Sequence, residues 1–320
     1  MGRWLPEIGP NGVYAKSPSR TLDEWILGVK EIATRHGLSA TNISRYDGGQ
    51  NPVFEVSEGV VLKLLPRSVA HLAVREARCL EWLSRRSAIP SPTLLGTGQL
   101  EDWSYLLTTK LLGTPLSVRW AGLSGIDRDA IAAELGRLLR KLHEIPIGDF
   151  SPGNMLWESF LAQGAGKWLG RASVGRLSSR LRETGPDYIV RALKGQTALN
   201  RVFLHGDLAP ENCLVSDVDG TWRISGIFDF GNAMVGDSVF DFTALTVLLA
   251  PGNAAILRQV FLGYGLPRTS VADQQALLMA YTLLHPLGDI SEILGFLPGL
   301  SQSDSWDQIA KRFWPAAGFP

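Results

Sequence analysis

The sequence predicts an α+β fold in two parts, a small antiparallel-sheet lobe over residues 1–110 and a larger, mainly helical lobe over residues 111–320. Three observations predict it. Runs of apolar, β-branched and aromatic residues crowd the first third of the chain, as in VFEV, VVLKLL and WSYLLTT. Helix-period patterns dominate from DRDAIAAELGRLLRKLHEI onward, interrupted by RVFLHGD, NCLVSD and WRISGIFDF. The change between the two patterns falls near Leu111 to Gly113, and no internal repeat or low-complexity stretch is present.

The elements follow in order. A leading helix is expected over about residues 21–36, in TLDEWILGVKEIATRHG. Thr21 and Glu24 there have the spacing of a capping box, and Leu22, Trp25, Ile26, Val29, Ile32 and Ala33 repeat at helical spacing up to Gly37. A β-rich run broken by Gly48-Gly49 leads into a hairpin, Val53 to Val56 and Val60 to Leu65, around a turn at Glu58-Gly59. A helix from Ser68 to about Arg85 comes next, then Pro90 and Pro92, then a strand in WSYLLTTKLL.

Composition removes several classes. The 320 residues are 45% hydrophobic, enough for a sizeable core. Lysine plus arginine and aspartate plus glutamate number 31 each, so the formal net charge is zero and no basic surface for nucleic acid is expected. Cys79 and Cys213 are too few for a disulfide scaffold or a cysteine zinc site, and both sit in apolar surroundings as expected of buried free thiols. The start, MGRWLPEIGPNG, has no apolar signal region. The longest apolar run, FTALTVLLAPG, is cut by Pro251 and Gly252, well short of the ~20 residues of a membrane helix. A cytoplasmic protein with no membrane or nucleic-acid partner is expected.

The chemistry concentrates in LHGDLAPENCLV, where Asp207 precedes Asn212 by five positions beside an apolar run. Asp229 lies in GIFDFGN, a short apolar strand that ends at the turn-forming Gly231. Two strands ending in oxygen-bearing side chains can converge on one hard cation, and Mg²⁺ takes a few protein oxygens plus substrate phosphates. An aspartate beside such an ion can accept a proton from a hydroxyl nucleophile. Taken singly, Asp207 and Asp229 also suit turns and caps. Upstream, Lys63 lies inside VVLKLL, where a lysine is costly without a partner. On the following helix Val69, Leu72, Ala73, Leu80 and Leu83 form one stripe with Glu76 near its middle, while Glu81 projects to the side. Glu76 is the expected partner of Lys63, either as a plain buried ion pair or to hold the lysine toward nucleotide phosphates.

These motifs resemble the aminoglycoside phosphotransferase family, kinases with a protein-kinase-like fold. The likeness rests on GGQNPVFEV, VVLK, REARCLEWL before IPSPTLLG, LRKLHEI, LHGDLAPENCLV and GIFDFGNAMVGDSVFD, spanning roughly residues 40–245. It implies two lobes, ATP (or GTP) and Mg²⁺ as cofactors, Asp207 as catalytic base, and Asn212 and Asp229 as magnesium ligands. It further implies Lys63 on the α- and β-phosphates with Glu76 as its partner, and Gly48, Gly49 and Asn51 over the nucleotide. Adenine would lie against the backbone from Thr108 through Lys110 to Leu111.

Within the family the chain is most similar to hygromycin B phosphotransferases, through NPVFEVSEGVVLKL, LLGTGQL, LLMAYTLLHPLGD and RFWP. The resemblance implies a small-molecule hydroxyl acceptor, an aminocyclitol or aminoglycoside antibiotic, and a monomer or weak dimer. Asp241 departs from that group but matches the wider family, and Pro210-Glu211 stands where the family often has Pro-Gly. Glu211, His285, Asp289 and Glu292 are candidate acceptor contacts, with His285 alternatively capping a helix. The pocket is expected from the insert around Phe150 to Lys194 and the helices after Thr243. Asp237 is read as a helix cap, and His205 as a hydrogen-bonding residue for the backbone around Asp229. A nucleoside antibiotic or a sugar- or choline-like metabolite is the alternative acceptor, and a nucleotide-binding pseudokinase the alternative class.

Overall fold

A computed structural model describes residues 3–9, 21–86, 89–153, 156–170, 176–194, 201–266, 270–286, 290–297 and 305–315. Contacts divide the chain into two units, one of Met1–Leu112 with Phe228–Asn232, the other of Gly113–Ile227 with Ala233–Pro320.

In the first unit, α1 (Asp23–Arg35) buries Trp25, Val29, Ile32 and Ala33, the face its apolar spacing requires. Its start corrects the expected capping box. The Thr21 backbone N–H donates to Glu24 Oε1 at 3.1 Å, but the N-cap residue is Leu22, which makes no side-chain cap. Leucine carries no acceptor oxygen, so only the glutamate half of the box forms.

After α1 come β1 (Ser44–Arg45), β2 (Val53–Ser57), β3 (Val60–Pro66), α2 (Ala70–Ser84), β4 (Leu94–Leu100) and β5 (Trp103–Thr109). The strands form one sheet in the order β1-β2-β3-β5-β4, every neighbour antiparallel. Phe54, Val56, Leu62, Leu64, Trp103, Tyr105 and Leu107 join Trp25, Val29 and Ile32 in the main core. Each such side chain removed from water contributes about 1.5–3 kcal/mol. The two-residue period sends Lys63 to the opposite face, where Leu65 and Leu106 pack with Ala73 and Ala77 of α2. Register pairs Lys63 with Val53 on one side and Leu106 on the other. The edge strand β4 has no counterpart in the sequence reading. Its LLGTGQL carries two glycines that break the apolar alternation.

The second unit opens with β6 (Thr114–Pro115), α3 (Leu116–Arg119) and α4 (Gly125–His143). Ser124 caps α4 by accepting from the Asp127 backbone N–H. α5 (Trp157–Gly166) and α6 (Ser179–Leu193) follow. Pro186 lies inside α6 and cannot donate to the Arg182 carbonyl. Trp168 Nε1 donates to that oxygen instead, at 3.0 Å. Next come β7 (Arg201–Leu204), β8 (Cys213–Val218), β9 (Thr221–Ile227) and β10 (Met234–Asp237). β6, β8 and β9 make one small sheet, β7 and β10 another. β10 is a strand that the sequence reading leaves unassigned. The chain then runs through α7 (Asp241–Leu249), α8 (Ala254–Tyr264), α9 (Ser270–Leu284), α10 (Ile290–Gly295) and α11 (Trp306–Phe313).

Two helices of this unit touch backbone to backbone. A Cβ on Gly136 of α4 would strike the Val260 carbonyl oxygen of α8, and one on Gly263 would strike the Ala133 carbonyl oxygen. Glycine at both positions lets the axes come this close. Among the described residues, no helix is long and apolar enough to cross a membrane.

Candidate active site

The first unit holds a lysine between two carboxylates. Lys63 Nζ lies 2.8 Å from Glu76 Oε2 and 2.7 Å from Asp229 Oδ1. The strand period puts Lys63 on the α2 side, and the helix period puts Glu76 at the centre of the buried α2 face. The Lys63 side chain is 14% exposed and that of Glu76 is 7% exposed. Burial opposes the charge on Lys63, yet the attraction of Glu76 and Asp229 outweighs it and holds its pKa above the ordinary lysine value. Burial pushes the Glu76 carboxyl up, against the pull of Lys63. Asp229 has φ +69, a left-handed conformation unusual for a residue with a side chain. Holding it there costs on the order of 1–3 kcal/mol, which its bonds to neighbouring groups offset.

The second unit shapes the loop that carries Asp207. Gly206 sits at φ +80, turning the chain sharply after β7. The Asp207 carbonyl oxygen accepts from the Ala209 backbone N–H at 2.8 Å and from Asn212 Nδ2 at 2.9 Å. Pro210 then starts a single 3-10 turn, Pro210–Asn212, that leads into β8. Because its nitrogen is committed to Asp207, the Asn212 amide has its oxygen left to accept or to ligate.

Beneath this loop lies a residue whose part the sequence reading does not identify. Asp241, 1% exposed, accepts from the backbone N–H groups of His205 and Gly206 at 2.8 Å each. His143 Nε2 lies 3.1 Å from the same carboxylate, and His143 Nδ1 lies 2.9 Å from the Tyr264 hydroxyl. Burial alone would raise the Asp241 pKa; His143, the nearby His205 and the Gly206 N–H reverse that and hold it below the ordinary value. The signal available in sequence was the pair of LHEI and VFD, but 98 positions separate His143 from Asp241.

Other expected site residues fall as follows. Gly48 and Gly49 are exposed at φ +90 and +65, in the loop between β1 and β2 that includes Asn51. Thr108 pairs with Val61 of β3. The Lys110 N–H donates to the Gly59 carbonyl at 2.8 Å, and its ammonium pairs with Glu55 at 2.7 Å. Asp237 caps as expected, accepting from the Val239 N–H at 3.0 Å, and also accepts from the buried Tyr281 hydroxyl at 2.6 Å. Cys79 and Cys213 are buried free thiols.

His285 is 1% exposed and stacks on Phe240, with ring centroids 4.9 Å apart. An imidazole so packed serves the aromatic core of the second unit, which corrects its reading as an acceptor contact. Glu211 and Glu292 are exposed, and Asp289 lies outside the described residues.

Asp207, Asn212 and Asp229 offer hard oxygen donors, the chemistry Mg²⁺ selects. Among the described residues, no group of three or more His, Cys, Asp and Glu side chains is arranged to hold a metal ion. Mg²⁺ does not need one, because waters and phosphate oxygens complete its shell.

The first unit thus holds a lysine between a helix glutamate and a strand-end aspartate, and the second a His-x-Asp loop closed by asparagine, residue types that kinase-like phosphoryl-transfer enzymes use. Comparison with known proteins is specific about which. The model of the phosphotransferase enzyme family matches residues 42–275, and the chain belongs to that family. The GDP complex of aminoglycoside 2'-phosphotransferase-IIIa superposes with a TM-score of 0.68 at 18% identity, covering 84% of this chain and 96% of that one. Aminoglycoside phosphotransferase APH(3'')-Id from Streptomyces rimosus gives 0.62 at 22% identity, over 82% and 98%. The streptomycin-ATP-APH(2")-IIa ternary complex gives 0.61 at 19%, over 86% and 97%. The fold is thus the protein-kinase-like fold of these enzymes. A curated relative, lysine-specific demethylase JMJ21 from Arabidopsis thaliana, is 22% identical over 283 residues. That match takes 70% of this chain but only 30% of the relative, so the chain spans under a third of that protein's length.

Proposed function

We propose that this phosphotransferase uses ATP or GTP to phosphorylate one hydroxyl of a small cationic antibiotic, an aminoglycoside or an aminocyclitol such as hygromycin B. The observation that carries the nucleotide reading is Lys63 gripped by Glu76 and Asp229, a cation kept charged and aimed although nearly buried. The superposing structures, which include GDP, ATP and streptomycin complexes, support the same reading.

In this reading Asp207 orients the acceptor hydroxyl and takes its proton as the oxygen bonds to the γ-phosphorus. The bond from that phosphorus to the β-phosphate oxygen breaks, and the nucleoside diphosphate leaves. Lys63 offsets charge on the α- and β-phosphates, and Glu76 keeps it extended. Gly48, Gly49 and Asn51 cover the phosphates, while the backbone from Thr108 through Lys110 meets the base. Asn212 and Asp229 would hold Mg²⁺, which when bound neutralises charge on the phosphate oxygens. Glu211 and Glu292, both exposed carboxylates, suit the ammonium groups of a polycationic acceptor.

The test is nucleotide turnover against a panel of hygromycin B, aminoglycosides, nucleoside antibiotics and simple sugars. Asp207→Asn is the control, expected to lose about 10²–10⁴-fold in kcat while keeping nucleotide affinity. Near-normal turnover by folded Asp207→Asn removes the base from Asp207. Preference for a neutral nucleoside redirects the acceptor.

A further inference from the structure

The segment that carries Asp229 is bound by α2 and β3 at three consecutive residues. Lys63 of β3 holds the Asp229 carboxylate at 2.7 Å. The Phe230 backbone N–H hydrogen-bonds the Glu76 carboxylate. Arg75 Nη1 donates to the Gly231 carbonyl oxygen at 3.2 Å. Gly231 itself lies against the same groups, since a Cβ there would meet Asp229 Oδ1 at 3.4 Å and Leu72 Cβ at 3.5 Å, ordinary contact distances.

Arg75 is the unexpected member. It is half-buried on α2 beside Glu76, and among the described residues it forms no ion pair. A guanidinium withdrawn from water normally meets a carboxylate. This one reaches a backbone carbonyl 156 positions away.

We infer that Arg75 is a positioning residue for Asp229: by fixing Gly231 it holds the aspartate in its left-handed conformation, with the carboxylate presented for Mg²⁺. The role rests on the magnesium reading given above. Without the bond to Gly231, the chain two residues after Asp229 is released from one of the ties named above. The strain at φ +69 then favours relaxation to ordinary backbone geometry.

The experiment compares wild type, Arg75→Met and Arg75→Lys in the full chain. It measures ADP affinity with and without magnesium, and amide hydrogen exchange at Phe230 and Gly231. Arg75→Met keeps the aliphatic bulk but cannot donate. Its ADP affinity without magnesium is expected to stay within about twofold, while the gain on adding magnesium falls about tenfold, the size of one lost charge-assisted hydrogen bond. Exchange at Phe230 should quicken, and Arg75→Lys should recover part of both. If Arg75→Met does not fold, Arg75→Lys decides by the same two readouts. An unchanged magnesium gain with unchanged exchange overturns the role of Arg75 alone. Equal loss of affinity with and without magnesium also overturns it, because that marks general structural damage. A wild type whose ADP affinity ignores magnesium overturns the magnesium reading itself, and this role with it.

Discussion

At the scale of single residues, the Lys63–Glu76 pair shows how far charge placement in a sequence can be trusted. A lysine on a half-buried strand and a glutamate at the centre of an apolar stripe each carry a desolvation penalty that the other relieves. Breaking a buried pair on one side costs about 3–5 kcal/mol. Here Asp229 remains beside Lys63 at 2.7 Å, and glutamine can still accept a hydrogen bond. Glu76→Gln should therefore destabilise the protein by a smaller amount, about 1–3 kcal/mol, read by denaturant unfolding. In a cycle with Lys63→Met the double variant should lose less than the sum of the singles, by at least ~1 kcal/mol. Strict additivity would mean the two charges do not support each other. The pairing was legible because both partners break an apolar pattern. Arg75 was not, because an arginine at the edge of a helix face reads as solvated. Its partner is a backbone carbonyl, which no residue type announces.

At the scale of elements, legibility followed the strength of each local signal. VVLKLL and WSYLLTT are rich in apolar, β-branched and aromatic residues, and they appear as strands β3 and β5. β4 and β10 escaped because glycines interrupt LLGTGQL and MVGD, and partner strands supply the order instead. His285, read either as an acceptor contact or as a helix cap, is buried by stacking on Phe240, a contact that no local signal in the sequence announces. Helix contacts are harder still, since α4 reads as one amphipathic helix with nothing to say what it meets. Gly136 is the telling position. Glycine inside a helix costs about 1 kcal/mol relative to alanine, so on propensity alone Gly136→Ala should stabilise. The crossing with α8 reverses the sign, because the new methyl collides with the Val260 carbonyl, and backbone cannot swing aside as a side chain can. We expect a loss of about 1–3 kcal/mol or more, seen as a lower midpoint of unfolding. A stabilised Gly136→Ala would show that the two helices can separate freely.

At the scale of the whole molecule, equal numbers of acidic and basic residues, 31 each, make net charge a weak force near neutrality. The response to acid is then governed by particular carboxylates, and Asp241 is a buried one in the second unit. Its folded pKa lies below the ordinary value of 3.8. The sign follows from linkage. A carboxylate with a depressed folded pKa contributes stability that is fully present above its unfolded pKa and is lost as pH falls through the folded one. The window therefore opens near 3.8 and extends downward. In it, protonation removes the acceptor for the His205 and Gly206 N–H groups and for His143. Asp241→Asn should be less stable than wild type at pH 7, because one amide oxygen cannot replace two charged ones. Below the window's upper edge its stability should fall less steeply with acid than that of wild type, the gap narrowing as the wild-type carboxyl takes up its proton. Unfolding by denaturant at a series of pH values from neutral to acid measures both slopes. Parallel slopes for the two proteins would place the acid response in other carboxylates and free the Asp207 loop from its anchor at Asp241.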